Sequence, residues 1–121
     1  MGIHESGEMY LETIYKLSES GAPVRSIDVA AEMGFSKPSV SRAIGLLKAD
    51  GLVEMNNNGI LSLTEKGRNI ASSIYKRHKT ISDFLLKIGV SEKTAVEDAC
   101  RIEHVISEEA FEKLIAHLED I

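Results

Sequence analysis

A single cysteine, Cys100, stands in this chain, so no disulfide framework can form, and the thiol is expected to stay reduced in a cytoplasmic setting. No apolar run approaches the roughly 20 residues that a membrane-spanning helix needs. Met1 to Glu8 lacks the basic and then apolar pattern of a secretory signal. There are only two prolines, and no internal repeat or low-complexity linker. These absences exclude a disulfide-stapled scaffold, a membrane protein and a repeat array. The remaining 121 residues, 43% hydrophobic and 27% charged, suit one ordinary core, or a small domain with an interaction module that borrows its core from a partner.

Acidic charge is scarce in the middle of the chain. The net charge of −5 would disfavour a polyanionic partner if it were evenly spread, but residues 22–79 hold nine Lys/Arg against five Asp/Glu, and residues 80–121 hold four against ten. Such asymmetry suggests a nucleic-acid face beside an acidic region suited to a cation or a second subunit.

Hydrophobic spacing organises the chain into helices. In residues 8–19, Met9, Leu11, Ile14, Tyr15 and Leu17 recur at helical intervals, and Gly21 with Pro23 ends the pattern. Ser26 reads as the N-cap of a short helix over residues 27–33, broken at Gly34. Ser36 reads as the next N-cap, with Pro38 in the first turn, where its missing N–H costs nothing, and with Val40, Ala43, Ile44 and Leu47 as the apolar stripe before Gly51. Two helices joined by a short Gly-containing turn read as helix-turn-helix. LVEM and ILSL then flank Asn56-Asn57-Asn58-Gly59, the pattern of a tight hairpin and hence of a wing. A long helix from Thr64 or Glu65 to about Lys87, a turn at Gly89, a helix from Ser91 to Ile106 and a last helix from Ser107 complete the reading. The fold class expected is mainly α: an N-terminal winged helix-turn-helix with a two-stranded β-wing over residues 1–72, followed by a helical domain over 73–121, to which the resemblance drawn below gives metal-binding and dimerisation roles.

A winged helix-turn-helix lays its second helix in the major groove of double-stranded DNA. Ser36, Pro38, Ser39 and Arg42 are placed to face bases: Arg42 can pair with guanine, and the proline ring and serine methylenes can touch a thymine methyl. Arg25, Lys37, Ser41 and Lys48 suit phosphates, which set register and make binding salt-dependent. Capping by Ser36 and Pro38 is the ordinary role of those residues and is compatible with contact to DNA. A protein-binding winged helix would carry an acidic or apolar recognition helix, whereas residues 36–48 contain Lys37, Arg42 and Lys48 and no acid.

Cys100-x-x-Glu103-His104 gathers a thiol, a carboxylate and an imidazole at i, i+3 and i+4, neighbouring positions on a helix. This is a metal-ligand set of mixed softness. Thiolate and imidazole suit zinc, copper(I), iron(II) or cobalt(II), while the carboxylate admits manganese(II). Each residue also has an ordinary reading, as a small buried hydrophobe, a solvated acid and a structural histidine. An enzyme with Cys100 as nucleophile and His104 as base lacks a third, orienting group, and the chain reads as a non-enzyme. Met9 and Glu12 share one face of the first helix, and His78 lies on the long helix after the wing. His4 and His117 carry no partner argument and are expected to be exposed.

EMYLETIYKL, then the helix-turn-helix, LTEKGRNIA, KRH and ACRIEHVIS together resemble the diphtheria toxin repressor family of metal-dependent regulators, over about Glu8 to Leu118. The resemblance implies that a divalent metal bridges the first helix to the dimerisation region, and that the loaded dimer binds an operator. It assigns Met9, Cys100, Glu103 and His104 to the main site of the iron-responsive branch, and Glu12 and His78 to ligands of the manganese-responsive branch. That second branch has acids where this chain has Met9 and Cys100. The ancillary positions of the iron branch fall on His78, Ser82 and Val96, of which Val96 has no ligating group. The sequence stops at Ile121, where many iron-branch members continue into a small SH3-like β-barrel, and so resembles the short, two-domain type.

The function expected is that of a cytoplasmic homodimeric DNA-binding transcriptional regulator, a repressor activated by divalent metal and controlling metal-ion homeostasis genes. The apolar faces of residues 91–120 form its symmetric interface, and two winged domains read a palindromic operator. The thioether at Met9 and the thiol at Cys100 favour iron(II) over hard manganese(II), while cobalt(II), nickel(II) and zinc(II) remain able to bind. The alternatives are a manganese-responsive regulator of the same family, and a winged-helix regulator sensing a small ligand or an oxidant through Cys100.

Overall fold

The structure, a computed structural model, describes residues 5–118; His4 and the last positions of the 91–120 stretch lie outside them. Its elements are α1 (Glu5–Ser18), α2 (Ser26–Met33), α3 (Lys37–Ala49), β1 (Val53–Met55), β2 (Leu61–Leu63), α4 (Glu65–Lys87), α5 (Glu92–Ile102) and α6 (Glu108–Leu118). The mainly α winged class expected from the sequence is the class observed. Contacts divide the chain into two compact units, Met1–Ser72 and Ser73–Ile121.

In the first unit α1 buries Tyr10, Leu11 and Ile14 against Val29, Val40, Ile44 and Leu47. A fully buried Leu or Ile contributes about 1.5–3 kcal/mol by leaving water, so this α1–α2–α3 cluster positions the recognition helix. Met9, which the spacing puts on the apolar stripe, is only half-buried. Ser26 is not a cap. It is the first residue of α2, and Arg25 occupies the capping position with extended backbone. The Arg25 N–H donates to Asp28 Oδ2 at 2.9 Å, so an acid at the third helical position reaches back to the N-cap, the reciprocal half of a capping box. Ser36 caps α3 as its spacing indicates, its hydroxyl accepting from the Ser39 N–H at 3.3 Å.

The wing pairs Val53 with Leu63, Glu54 with Ser62 and Met55 with Leu61. Its loop therefore holds residues 56–60 and is longer than a two-residue hairpin. Asn56 Oδ1 accepts from the N–H groups of both Asn58 and Ile60 at 2.9 Å, closing the loop as an Asx turn. Leu61 also donates to Val24 O at 2.7 Å, which ties the wing to the segment leading into α2.

Where α4 starts, Thr64 satisfies two elements at once: Oγ1 donates to Gly51 O at 2.7 Å and accepts from Gly67 N at 3.1 Å. The helix approaches the backbone at Leu52 so closely that a Cβ on Gly67 would lie 2.0 Å from the Leu52 carbonyl oxygen. Gly67 is thus required by space, a role that its helical sequence context does not announce.

In the second unit Ile81, Ala99 and Phe111 form a small core, with Leu85, Ile102 and Ile106 against it. The helix expected to reach Ile106 stops at Ile102. Glu103 retains helical backbone angles, φ −59 and ψ −25, but residues 103–106 then turn, and Ser107 stands just before α6, its hydroxyl accepting from Ala110 N at 3.1 Å. The carbonyls of Glu103 and Ile106 accept instead from the Arg77 guanidinium, at 3.1 and 3.3 Å, so a long side chain from α4 replaces the next helical N–H groups.

Candidate metal centre and nucleic-acid interface

Cys100 sits in the last turn of α5, Glu103 caps it, and His104 follows in the turn. One ligand atom from each lies within 4.8 Å of the others, so the early helix end does not spoil the convergence. The Glu103 side chain is fully buried and that of His104 is 1% exposed. Burying a carboxylate is costly unless partners meet its charge. Here His104 Nε2 lies 3.2 Å from Oε1, and His78 Nδ1 lies 2.8 Å from Oε2. With the thiol and the carboxyl ionised, the three-donor set carries two negative charges beside neutral imidazole. That is the complement of a divalent ion of the borderline class, at a position shielded from water. The residues present therefore fit a transition-metal dication.

His78, with 18% of its side chain exposed, is brought onto the same carboxylate as His104. Met9 and Glu12 belong to α1 of the first unit, where Met9 is half-buried and Glu12 is 7% exposed. Ser82 is buried one turn beyond His78, whereas Val96 is exposed, in keeping with a side chain that cannot ligate. His117 is exposed on α6.

Sequence reasoning assigned no role to Arg77. Its guanidinium donates to the Glu103 and Ile106 carbonyls and lies 5.2 Å from the Phe111 ring centroid. Those partners are 26 and 29 residues away, and no local pattern announces them. The only signal was adjacency to His78.

On α3, Lys37, Pro38, Ser41, Arg42 and Lys48 are exposed, and Ser36 at its cap is exposed as well. Ser39 is half-buried, and the Ser36 hydroxyl donates to its Oγ at 2.9 Å. Arg25 is exposed, but its Nε donates to Asn58 O at 3.3 Å, so its guanidinium is held at the wing loop. Leu46, off the apolar stripe of α3, is 69% exposed on this cationic helix. Its place outside the i, i+3, i+4 pattern was the available signal. Among the described residues no helix is long and apolar enough to cross a membrane.

The family model described as the N-terminal DNA binding domain of iron dependent repressors matches residues 3–61, and that of their metal binding and dimerisation domain matches residues 64–121. The diphtheria toxin repressor of Corynebacterium diphtheriae is 33% identical over 118 residues, covering 97% of this chain and 52% of that protein. The chain thus spans about half the length of that curated relative. An uncharacterised HTH-type transcriptional regulator of Methanocaldococcus jannaschii is 36% identical over 117 residues, 95% of this chain and 94% of that one. Among solved structures, that of the manganese regulator SloR is similar at a TM-score of 0.84 and 32% identity, over 98% of this chain and 55% of that chain. Two contiguous family matches, agreement of fold and a donor set suited to a dication converge on one conclusion: this chain belongs to the iron-dependent repressor family of metal-dependent transcriptional regulators, that of the diphtheria toxin repressor.

Proposed function

We propose that this protein is a cytoplasmic, homodimeric repressor that binds a palindromic operator when loaded with a divalent metal, iron(II) by preference. The observation that carries the reading is the convergence of Cys100 and His104 on the buried Glu103 carboxylate. Met9, Glu12 and His78 complete the proposed ligand set by the family resemblance. When bound, the metal would supply two positive charges that offset the repulsion between the Cys100 thiolate and the buried Glu103 carboxylate. This chain's residues do the remainder. Cys100 and Met9 select for softness, Glu103 and His104 hold the ion from the α5–α6 turn, and the acid-free α3 presents Arg42, Lys37 and Lys48 to DNA. Leu46 adds an apolar group suited to a thymine methyl. The exposed Val105 and Ile115 of the second unit are apolar groups for the proposed dimer interface. Metal shifts operator binding only by as much as it prefers the binding-competent arrangement.

A manganese-responsive reading draws on one specific observation. His78 Nδ1 is paired with the Glu103 carboxylate at 2.8 Å, an oxygen- and nitrogen-bearing set that needs no sulfur.

Duplexes selected from a random pool under anaerobic conditions with iron(II) provide the operator. Its binding is then titrated with iron(II), manganese(II) and zinc(II), for wild type and Cys100→Ala. Iron(II)-dependent binding that Cys100→Ala weakens supports the proposal. Binding that ignores metal altogether sinks it, and manganese(II) dependence unaffected by loss of the thiol moves the assignment to the second reading.

A further inference from the structure

We infer that Arg77 is a positioning residue for the metal centre, holding the ligand turn between α5 and α6 in its binding geometry; this rests on the metal reading above. Three contacts converge on its guanidinium. Two are hydrogen bonds to the carbonyls of Glu103 and Ile106, at 3.1 and 3.3 Å, and the third is the Phe111 ring, whose centroid is 5.2 Å away. The two carbonyls bracket the turn that carries Glu103 and His104 in succession. Glu103 is the C-cap of α5, where a cation is favoured, and Ile106 closes the turn that follows it.

The arrangement grips one ligand from both ends. Arg77 holds the Glu103 backbone, and the next residue of α4, His78, holds the Glu103 carboxylate at 2.8 Å. Phe111 lies on α6, so the same guanidinium registers the turn against the final described helix. Lysine cannot reproduce this geometry, because an ammonium has no planar fork to span two carbonyls and stack on a ring. Groups that orient metal ligands from outside the coordination sphere are worth about 10- to 100-fold in metal affinity, and Arg77 is placed to act in that way through the main chain.

The test compares wild type, Arg77→Lys, Arg77→Gln and Arg77→Ala as full chains. Cobalt(II) affinity is read by competition with a chromophoric chelator, the site geometry by the cobalt(II) visible spectrum, and metal-free folding by circular dichroism and thermal unfolding. The expected result is a weakening of cobalt(II) affinity by about 10-fold or more in Lys and Gln, with altered visible bands and metal-free melting close to wild type. If Ala does not fold, Lys and Gln decide the matter. Variants that melt earlier yet bind cobalt(II) with wild-type affinity and spectrum overturn the inference and leave the metal reading intact. A wild type that binds no cobalt(II) through a thiolate overturns both.

Discussion

Replacing Gly67 by alanine sets two physical effects of opposite sign against each other. Helix propensity alone favours the change by about 1 kcal/mol, since alanine is the best helix former and Gly67 lies within α4. Space opposes it. The new Cβ would stand 2.0 Å from the Leu52 oxygen and 2.9 Å from its carbonyl carbon, far inside van der Waals contact. Both atoms are backbone, and that carbonyl accepts from Thr64 N at 3.1 Å, so relief requires α4 to move away from the segment it is tied to. Overpacking of this kind costs about 1–3 kcal/mol, and losing the Thr64 hydrogen bond adds about 1 kcal/mol. The net expectation is destabilisation by about 1–3 kcal/mol, or a fall in Tm of about 5–15 °C at this chain length. Gly45→Ala is the matched control, because Gly45 lies in α3 with nothing within 4 Å of a Cβ, so propensity acts alone and stability rises by up to about 1 kcal/mol. Thermal unfolding followed by circular dichroism reads both. A Gly67→Ala variant that melts at or above wild type would refute the close-packing argument, since only the propensity term would then be acting.

Arg42→Ala should weaken binding to the selected operator by about 1–3 kcal/mol and relax discrimination at one base position, measured by anisotropy across single-base variants; uniform weakening across all variants would move Arg42 to the phosphates. Ser36→Ala should cost about 0.5–1 kcal/mol, the lower part of the range for caps because its bond is exposed and 3.3 Å long, and denaturant titration reads the loss. Stripping metal with a chelator should abolish operator binding and leave helical content largely in place, because the apolar cores in the two units contain no ligand atom; a collapse of the circular dichroism signal would instead make the metal a folding requirement. Salt should weaken operator binding steeply, with a log–log slope set by the number of phosphates held, and an Arg25→Ala slope equal to that of wild type would show that Arg25 serves the wing alone.

Helix starts and stops were legible where they depend on near neighbours. Ser36 with Pro38, the Asn56–Gly59 loop and the glycine at 89 act through bonds or backbone angles within a few residues, and the observed elements begin and end beside them. The exceptions show what locality misses. At Ser26 the helix began one residue early, with Arg25 at the capping position and its N–H donating to Asp28 Oδ2. Past Ile102 the apolar spacing continued but the helix did not, and in the turn that replaces it the Glu103 and Ile106 carbonyls accept from Arg77.

The sequence by itself determined the donor chemistry and the polarity of the chain: Cys100, Glu103 and His104 stand close enough along the backbone to converge almost regardless of what surrounds them, and α3 is cationic by composition. Only the tertiary structure decided that Glu103 is wholly buried, that His78 meets its carboxylate, that Arg77 holds its carbonyl, and that position 67 has no room for a methyl group. These facts depend on contacts between residues 15 to 29 positions apart. Hydrogen bonds and packing at that range are set by how helices dock, and docking leaves no periodic mark in the sequence.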